Sequence, residues 1–222
     1  MKKILVTGGA GYIGSFVARA LRDKGYEVVI LDNLSQGHKE SIKNFRLEII
    51  DLVNEKEKLE ELFKKENFDG VIHMASYIQM GESFKNPFKY FNNNIQSILN
   101  LLNVMVDNKV LSIVFSSTAG IYGNPEKIPI EEDDKKNPEN PYGESKLFCE
   151  KILSWFDKSH KVKSISIRYF NASGAALDGS IGEDHPNESH IIPMIIKASL
   201  ENKEFNLYGN DYKTKDGTCV RD

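Results

Sequence analysis

The stretch Val6-Thr7-Gly8-Gly9-Ala10-Gly11-Tyr12-Ile13-Gly14-Ser15 decides the fold of this chain. It follows a short apolar run that is typical of a buried strand, and it precedes apolar side chains at helical spacing, Phe16 to Leu21. Glycine is needed where a strand turns sharply into a helix, where the backbone approaches a pyrophosphate, and where the helix packs on the sheet. The stretch therefore predicts a strand–turn–helix unit that binds phosphate groups at the helix N-terminus.

Two overlapping glycine patterns, G-x-G-x-x-G from Gly9 and G-x-x-G-x-x-G from Gly8, both end at Gly14. Asp32 ends the next apolar run, at the distance expected for a carboxylate that binds a ribose. Such a carboxylate accepts hydrogen bonds from ribose hydroxyls and repels a 2′-phosphate, which favours NAD over NADP. The alternatives are an ordinary glycine turn and, for Asp32, a cap at the end of a strand.

The composition is that of a globular protein: 222 residues, 40% hydrophobic and 27% charged, with a net charge of −3. This charge predicts no strong attraction to nucleic acid or to an anionic membrane. We expect a cytoplasmic protein, because no apolar run reaches the length of a membrane span and the chain starts directly on its first strand. Cys149 and Cys219 have no metal or redox spacing, so we expect free thiols and no metal site.

Apolar runs alternate with helical patterns along most of the chain, which predicts an α/β fold with a doubly wound parallel sheet, the Rossmann type. A smaller substrate-binding part is expected to begin near Ala172, giving an NAD-binding domain over 1–171 and an incomplete domain over 172–222. The latter is predicted to contain a helix over 191–200 and a short strand over 205–208. The six strands of the sheet are expected at residues 3–7, 27–31, 46–50, 70–74, 111–116 and 163–169.

Ligands of such a sheet sit at the carboxyl ends of its strands. Asp51 follows the third strand, where its carboxylate accepts from an adenine amino group or caps a helix. Small residues follow His73 at the end of the fourth strand and leave room for a cofactor, whereas His73 itself is interpreted as a structural core residue rather than a catalyst. Residues 92–94, three asparagines, are expected to open the long fourth helix, either capping it or tying loops together near the cofactor.

A hydroxyl-rich strand end, Phe115 to Thr118, precedes a helix that begins after Pro141 and carries Tyr142 and Lys146 on one face. A free tyrosine has a pKa of about 10, so a tyrosine base needs that pKa lowered by several units. A nearby ammonium and the positive charge of an oxidised nicotinamide both act in this direction. After the glycine turn, this Y-x-x-x-K pair is interpreted as catalytic.

These residues resemble the UDP-glucose 4-epimerase family of extended short-chain dehydrogenase/reductases, and the resemblance runs from Lys3 to the last residue. The glycine turn and the tyrosine–lysine pair are shared by the wider superfamily, whereas the later segments indicate sugar-nucleotide 4-epimerases. The segments are TGGAGYIGS (7–15), LDNLS (31–35), GESFKNPFKYFNNN (81–94), SSTAGIYG (116–123), NPYGESK (140–146), RYFNASGA (168–175), GEDH (182–185) and YGNDYKTKDGTCVRD (208–222).

The resemblance implies interconversion of UDP-glucose and UDP-galactose by transient oxidation at C4 and return of the hydride to the other face of the 4-keto sugar. It assigns catalysis to Thr118, Tyr142 and Lys146, and it implies a cytoplasmic homodimer formed by a bundle of helices. The NAD-binding residues are expected to be Gly8, Gly11, Tyr12, Ile13, Gly14, Asp32, Asn33, Asp51, Leu52, Met74, Ala75, Asn93, Ser116, Tyr142, Lys146 and Tyr169. The substrate-binding residues are expected to be Thr118, Tyr142, Asn171, Ile191, Ile192, Asn206, Tyr208 and Arg221.

The chain departs from the family pattern at two points. Ile78 stands where some members have a lysine near the cofactor, and the chain stops at Asp222 where members usually continue, so we expect a truncated epimerase. Two alternatives stay open: another sugar-nucleotide epimerase or dehydratase, and an NAD-binding module without turnover. Dehydratases usually have an acidic pair after the position of Thr118, whereas this chain has Ala119 and Gly120.

Overall fold

A six-stranded parallel sheet forms the centre of the first of two compact units, Met1–Tyr169. The computed structural model describes residues 1–185, 188–207 and 209–219. The strands begin and end within two residues of the predicted bounds. They are β1 (Lys3–Thr7), β2 (Glu27–Asp32), β3 (Arg46–Ile49), β4 (Gly70–His73), β5 (Ser112–Thr118) and β6 (Lys163–Tyr169).

The strand order is β3-β2-β1-β4-β5-β6, and every neighbouring pair is parallel. The order reverses direction between β1 and β4, so the loops after these two strands leave the sheet on opposite sides. In sheets of this type the resulting crevice, at the carboxyl ends of the strands, is where ligands bind. The predicted Rossmann-type architecture is confirmed.

Helices cover both faces of the sheet. Leu5 and Leu31 face a large core that is shared with α2 (Lys56–Lys65), α4 (Pro87–Asp107) and α5 (Pro141–His160). The alternate residues Val6 and Ile30 face a second core, which Ala18 of α1 (Tyr12–Asp23) completes. Because side chains alternate across a strand, strands buried on both faces are continuous apolar runs, and this is why the sequence predicts them well.

The long helix α4, which follows the short helix α3 (Met80–Lys85), begins earlier than predicted. Its first residue is Pro87, and the Asn86 side chain caps it by accepting a hydrogen bond from the backbone N–H of Lys89 at 3.2 Å. The expectation that residues 92–94 open this helix is therefore wrong, since they lie inside it. Asn followed by Pro is the stronger start signal, because Asn caps and Pro has the helical φ without needing a hydrogen-bond donor.

The second unit, Phe170–Asp222, contains the predicted helix α6 (Ile191–Leu200). The predicted strand over 205–208 is wrong for residues 205–207, which form no strand; a strand requires a neighbour to pair with, and residues 205–207 pair with none of the described chain. Among the described residues of this unit none is buried. A search of the described residues finds no helix with the length and hydropathy that crossing a bilayer requires.

Candidate active site

The turn between β1 and α1 packs so closely against backbone atoms at Gly8 and Gly14 that both positions need glycine. Gly8 has a φ of +68°, and a Cβ there would lie 2.5 Å from the backbone nitrogen of Ala75. A Cβ on Gly14 would lie 2.2 Å from the carbonyl oxygen of Gly8. At Gly11, in contrast, the nearest atom to an added Cβ is 3.4 Å away. Packing within the protein thus explains why Gly8 and Gly14 are glycines, but it does not explain Gly11. The space beside Gly11, at the start of α1, is open to a ligand.

The start of α1 suits an anion. Gly11 is the N-cap residue, its cap has no side-chain hydrogen bond, and no acidic residue lies in the first turn. Backbone N–H groups at a helix N-terminus carry a partial positive charge, which favours a phosphate there. Tyr12 and Ile13, which are among the predicted NAD-binding residues, are the first residues of α1.

Asp32 holds the turn together and also offers acceptors to a ligand. Its Oδ2 accepts from the backbone N–H of Ala10 at 3.0 Å, and its Oδ1 accepts from that of Leu34 at 2.8 Å. Burial raises the pKa of Asp32, and these two hydrogen bonds lower it in part. A carboxylate has about four acceptor positions, so capping the turn leaves capacity for two ribose hydroxyls. The cap and the ribose site are thus compatible interpretations of one residue.

Asn33 and Asp51 connect the ends of β2 and β3. The Asn33 amide donates to Asp51 Oδ2 at 2.9 Å, and Asp51 Oδ1 accepts from the backbone N–H groups of Val53 and Asn54. Burial raises the pKa of Asp51, but these hydrogen bonds outweigh it and the net shift is downward. Asp51 therefore caps the turn at 52–54 and not a helix, because the N-cap residue of α2 is Glu55. The side chain of the next residue, Leu52, packs in the large core.

Tyr142 and Lys146 lie on the first turns of α5, beside the end of β5. The Lys146 ammonium lies 5.9 Å from the centre of the Tyr142 ring and donates to the carbonyl oxygen of Ser116 at 2.7 Å. Lys146 is only 2% exposed, and burial lowers its pKa to about 8. Its charge is held close to the tyrosine by β5 and by the Phe115 ring, 4.9 Å away.

The pKa of Tyr142 moves in the direction opposite to the expectation. Burial raises it, and a hydrogen bond with the side chain of Thr118 lowers it only in part. Thr118 is the last residue of β5, and its hydroxyl oxygen accepts from the backbone N–H of Gly120 at 3.0 Å. A phenol that is buried next to a hydroxyl and an ammonium keeps its proton until a further positive charge arrives.

Asn94, one of the three asparagines at 92–94, ties neighbouring loops together. The Asn94 side chain exchanges two hydrogen bonds with the backbone of Tyr77, at 2.9 and 3.1 Å, and donates to the Ser145 hydroxyl at 3.0 Å. Ser145 in turn donates to the carbonyl oxygen of Tyr142 at 2.7 Å. The Asn93 amide donates to the Asn94 side chain at 3.2 Å. Asn94 thus links the loop after β4 to the turn of α5 that carries Tyr142.

His73 is a structural residue, as the sequence analysis favours. It is 1% exposed, its Nδ1 lies 2.7 Å from the Thr7 hydroxyl, and its ring stacks on Phe115. Burial, and secondarily the charge of Lys146, lowers its pKa to about 3. His73 is therefore neutral near pH 7 and does not serve as a proton donor there.

The buried His73 makes stability depend on pH. The unfolded chain binds a proton at this residue below a pH of about 6.5, whereas the folded chain does so only near pH 3, so acid favours unfolding. We expect the free energy of unfolding to fall toward low pH by up to about 1.4 kcal/mol per pH unit from this group. Urea unfolding between pH 7 and 4 should show a shallower fall in His73→Asn. The same slope in both proteins, with exposed His160→Asn as control, would contradict this.

Glu150 of α5 and Arg168 of β6 form an ion pair behind the site. Arg168 donates from Nε and Nη2 to the two oxygens of Glu150, at 3.0 and 2.8 Å, and Ser117 also donates to Glu150 at 2.5 Å. Arg168 further donates to the hydroxyl of Tyr122 at 2.5 Å. The pair therefore holds two segments against α5: the end of β5, through Ser117, and the loop after β5, through Tyr122.

We expect Glu150→Gln to reduce the free energy of unfolding by about 1–3 kcal/mol, because it leaves the guanidinium of Arg168 without its carboxylate. Chemical unfolding followed by circular dichroism measures this. The matched control is Asp157→Asn, which breaks a pair with Lys163 whose side chains are 39% and 72% exposed; we expect no measurable change there. Equal losses in the two variants would show that the partial burial of the Glu150 pair has no effect.

The remaining predicted residues are placed as follows. Met74 and Ala75 follow β4, and the backbone N–H of Met74 donates to the carbonyl oxygen of Thr7 at 2.9 Å. Tyr169 ends β6, and burial raises its pKa. In the second unit Ile191 and Ile192 form the first turn of α6 and are 54% and 49% exposed, and Asn171 and Asn206 are exposed. Tyr208 and Arg221 lie outside the described residues.

The first unit brings two groups of residues to one edge of its sheet: one suits the binding of a dinucleotide, and the other suits proton transfer. The open position at Gly11, the uncapped start of α1 and the acceptors of Asp32 suit a pyrophosphate and a ribose. Tyr142, Thr118 and Lys146 supply a phenol, a hydroxyl and an ammonium at the end of β5. This arrangement suits oxidation and reduction at a carbon that bears a hydroxyl.

Residues 4–222 match the model of the NAD dependent epimerase/dehydratase family. A curated UDP-glucose 4-epimerase from Lactobacillus helveticus is 45% identical over 99% of this chain and 67% of the relative. The crystal structure of UDP-glucose 4-epimerase from Brucella ovis in complex with NAD superposes with a TM-score of 0.95 at 38% identity, over 99% of this chain and 67% of that one.

A second solved structure, UDP-glucose 4-epimerase from Bifidobacterium longum in complex with NAD+ and UDP, has a TM-score of 0.93 at 36% identity, over 100% of this chain and 69% of that one. The chain spans about two thirds of the length of the curated relatives that it matches. The resemblance identified from the sequence is confirmed.

Proposed function

Because the chain belongs to the NAD dependent epimerase/dehydratase family, with NAD as its cofactor, we propose that its site interconverts UDP-glucose and UDP-galactose by epimerisation at C4. The observation that carries the proposal is the grouping of Tyr142, Lys146 and Thr118 at the strand edge that also holds the glycine turn. Relatives at 41–45% identity over nearly the whole chain are UDP-glucose 4-epimerases, which supports the same reaction here.

In this proposal Tyr142 transfers the proton and Thr118 orients the sugar. The tyrosine phenolate takes the proton of the 4-hydroxyl while the C4 hydride leaves, and the resulting 4-keto sugar turns over and receives hydride and proton on its other face. NAD, when bound, accepts this hydride and returns it, so no net oxidation occurs. The Thr118 hydroxyl, already hydrogen-bonded to Tyr142, is the group that would hold the sugar hydroxyl in line.

Lys146 has two tasks in the proposal. Its ammonium would donate to the nicotinamide ribose of a bound NAD, and its charge, 5.9 Å from the centre of the Tyr142 ring, favours the phenolate form of Tyr142. Since burial raises the pKa of Tyr142, Lys146 alone is insufficient, and the positive charge of oxidised nicotinamide has to complete the activation. The tyrosine then becomes a base only when oxidised cofactor is present.

The substrate in the proposal is a UDP-hexose. Asn171 is assigned to the phosphate region, Ile191 and Ile192 to the sugar, Asn206 and Tyr208 to the uracil, and Arg221 to the diphosphate. A guanidinium suits the last task because it donates two parallel hydrogen bonds to phosphate oxygens. Solved relatives in complex with UDP and with UDP-glucose support this substrate class.

We also propose a homodimer, in the cytoplasm. Phe148 and Trp155 lie seven residues apart on α5 and are 48% and 66% exposed, and Phe88 of α4 is 77% exposed, which makes these two helices a suitable apolar interface. Sedimentation of Trp155→Glu beside the unchanged chain tests it: a monomeric variant supports the interface, and two proteins of equal size contradict it. The proposed cytoplasmic location is supported by the thiols of Cys149 and Cys219, which form no disulfide and therefore suit a reducing compartment.

The experiment that tests the function has two readouts. Bound NAD, extracted after purification and quantified, reports on the cofactor site; conversion of UDP-galactose to UDP-glucose reports on the reaction. NAD with conversion supports the whole proposal. NAD without conversion of any UDP-hexose contradicts the reaction, and absence of NAD contradicts the cofactor site.

A further inference from the structure

Four side chains of metal-binding type converge before helix α6 in the second unit. Glu183, His185, Glu188 and His190 each offer one ligand atom, and these atoms all lie within 4.8 Å of one another. His190 Nδ1 lies 2.6 Å from Glu183 Oε1 and 3.2 Å from Glu188 Oε1. His185 Nδ1 lies 3.3 Å from Glu188 Oε2 and 3.6 Å from Glu183 Oε1. Each imidazole therefore faces both carboxylates.

These separations are close to those between the ligands of a tetrahedral zinc ion. Zinc binds imidazole nitrogen and carboxylate oxygen at about 2.0–2.2 Å, so two ligands of one tetrahedron lie about 3.3–3.6 Å apart. Of the four nitrogen–oxygen distances, 3.3 and 3.6 Å lie within this range, and 2.6 and 3.2 Å are shorter. The four ligand atoms together lie within 4.8 Å of one another, so an ion at the centre requires the shortest pair, His190 and Glu183, to lengthen and the widest pair to shorten.

The enclosure of this cluster is unusual for its unit. The side chains of Glu183, His185 and Glu188 are only 10%, 13% and 15% exposed. In the same unit the apolar residues Leu200 and Leu207 are 82% and 68% exposed, and none of the described residues is buried. The fourth side chain, His190, is 46% exposed, so Glu183, Glu188 and His185 form the enclosed side of the cluster and His190 forms its open side.

The backbone already orients one of the four ligands. Glu188 Oε1 accepts from the backbone N–H groups of Ser189 and His190, both at 2.7 Å, which turns Oε2 toward His185. Hydrogen bonds of this kind around a metal site hold the ligands in position and sharpen affinity. Two imidazoles with two carboxylates are a donor set that suits zinc.

We propose that Glu183, His185, Glu188 and His190 bind a divalent transition-metal ion, Zn²⁺, which ties these four side chains together at the start of α6. All four positions are filled by protein, so the site is structural rather than catalytic. It lies outside the proton-transfer site proposed above and does not depend on it. The sequence alone predicts no metal site, because its two cysteines lack metal spacing and GEDH (182–185) is there only a family segment.

The test titrates Zn²⁺ alone into chain that has been dialysed against a chelator, using calorimetry and metal analysis. We expect one Zn²⁺ per chain, and an affinity weakened by roughly a hundredfold or more in His185→Ala and in Glu183→Gln. The matched control is His160→Ala, an exposed histidine of α5 whose loss should leave zinc affinity unchanged.

A second measurement does not depend on the variants. Co²⁺ bound to the unchanged chain should give the intense visible absorption of a tetrahedral nitrogen and oxygen site, because coordination geometry determines that spectrum. No stoichiometric zinc, a six-coordinate cobalt spectrum, or zinc affinity that survives the loss of His185 would overturn the proposal. The cluster would then consist of hydrogen-bonded histidine–glutamate pairs only.

Discussion

Tyr142→Phe should lower the turnover of UDP-galactose by about 10²–10⁴-fold, the range that a positioned proton-transfer group contributes. The substitution keeps the ring and its packing and removes only the hydroxyl, together with its hydrogen bond to Thr118. We expect the free energy of unfolding to change by no more than about 0.5–1.5 kcal/mol, the net value of one such hydrogen bond. A coupled assay for UDP-glucose measures the turnover.

Two further readouts separate chemistry from binding. The amount of NAD retained by Tyr142→Phe should match that of the unchanged chain, because the ring remains in place. Tyr26→Phe, a substitution at a tyrosine that is 36% exposed and lies outside the site, should keep full turnover. Turnover of Tyr142→Phe within about tenfold of the unchanged chain would show that another group moves the proton.

Gly11→Ala should weaken NAD binding by at least about tenfold, equivalent to ~1.4 kcal/mol, while leaving the fold intact. Gly11 has a φ of −77° and a ψ of 175°, which any residue adopts, and an added Cβ has no contact closer than 3.4 Å within the protein. A stability change within about 0.5 kcal/mol is therefore expected. The methyl group would instead occupy the position where we place the pyrophosphate. Fluorescence titration with NADH and urea unfolding measure the two effects.

Gly14→Ala provides the contrasting result. Its Cβ would lie 2.2 Å from the Gly8 oxygen and 2.8 Å from the Gly9 Cα, both backbone atoms that cannot move aside singly. We expect a loss of about 1–3 kcal/mol or more in stability together with the loss of cofactor. Gly81→Ala, with nothing within 4 Å of an added Cβ, should change neither. If Gly11→Ala binds NAD normally, the pyrophosphate does not lie at this turn.

The sequence predicts the sheet well because its strands are continuous apolar runs, and it predicts the turn well because three glycines and Asp32 have fixed spacing. The predicted start of α4 at residues 92–94 is wrong, because Asn86 followed by Pro87 is the stronger signal for a helix start. Asn94 was available from the sequence, because it shares the buried stripe of α4 with Tyr90 and Ile98 at a spacing of four. A polar residue in such a stripe requires buried partners.

Other features have no local sequence signal. Glu150 and Arg168 lie 18 residues apart on different elements, so their pairing follows only from the packing of α5 on β6. The pKa of Tyr142 depends on how deeply the ring is buried, and a sequence pattern gives the neighbours of a tyrosine but not its exposure.

The most direct test of the account is epimerisation without net redox change. The chain, and beside it any longer form that its gene encodes, is purified with its bound NAD and incubated with UDP-galactose, with no NAD added. We predict that either form produces UDP-glucose in large molar excess over its bound NAD. In the Tyr142→Phe variant this production of UDP-glucose should be lost. Bound NAD with no UDP-glucose from either form, or equal conversion by the Tyr142→Phe variant, would contradict it.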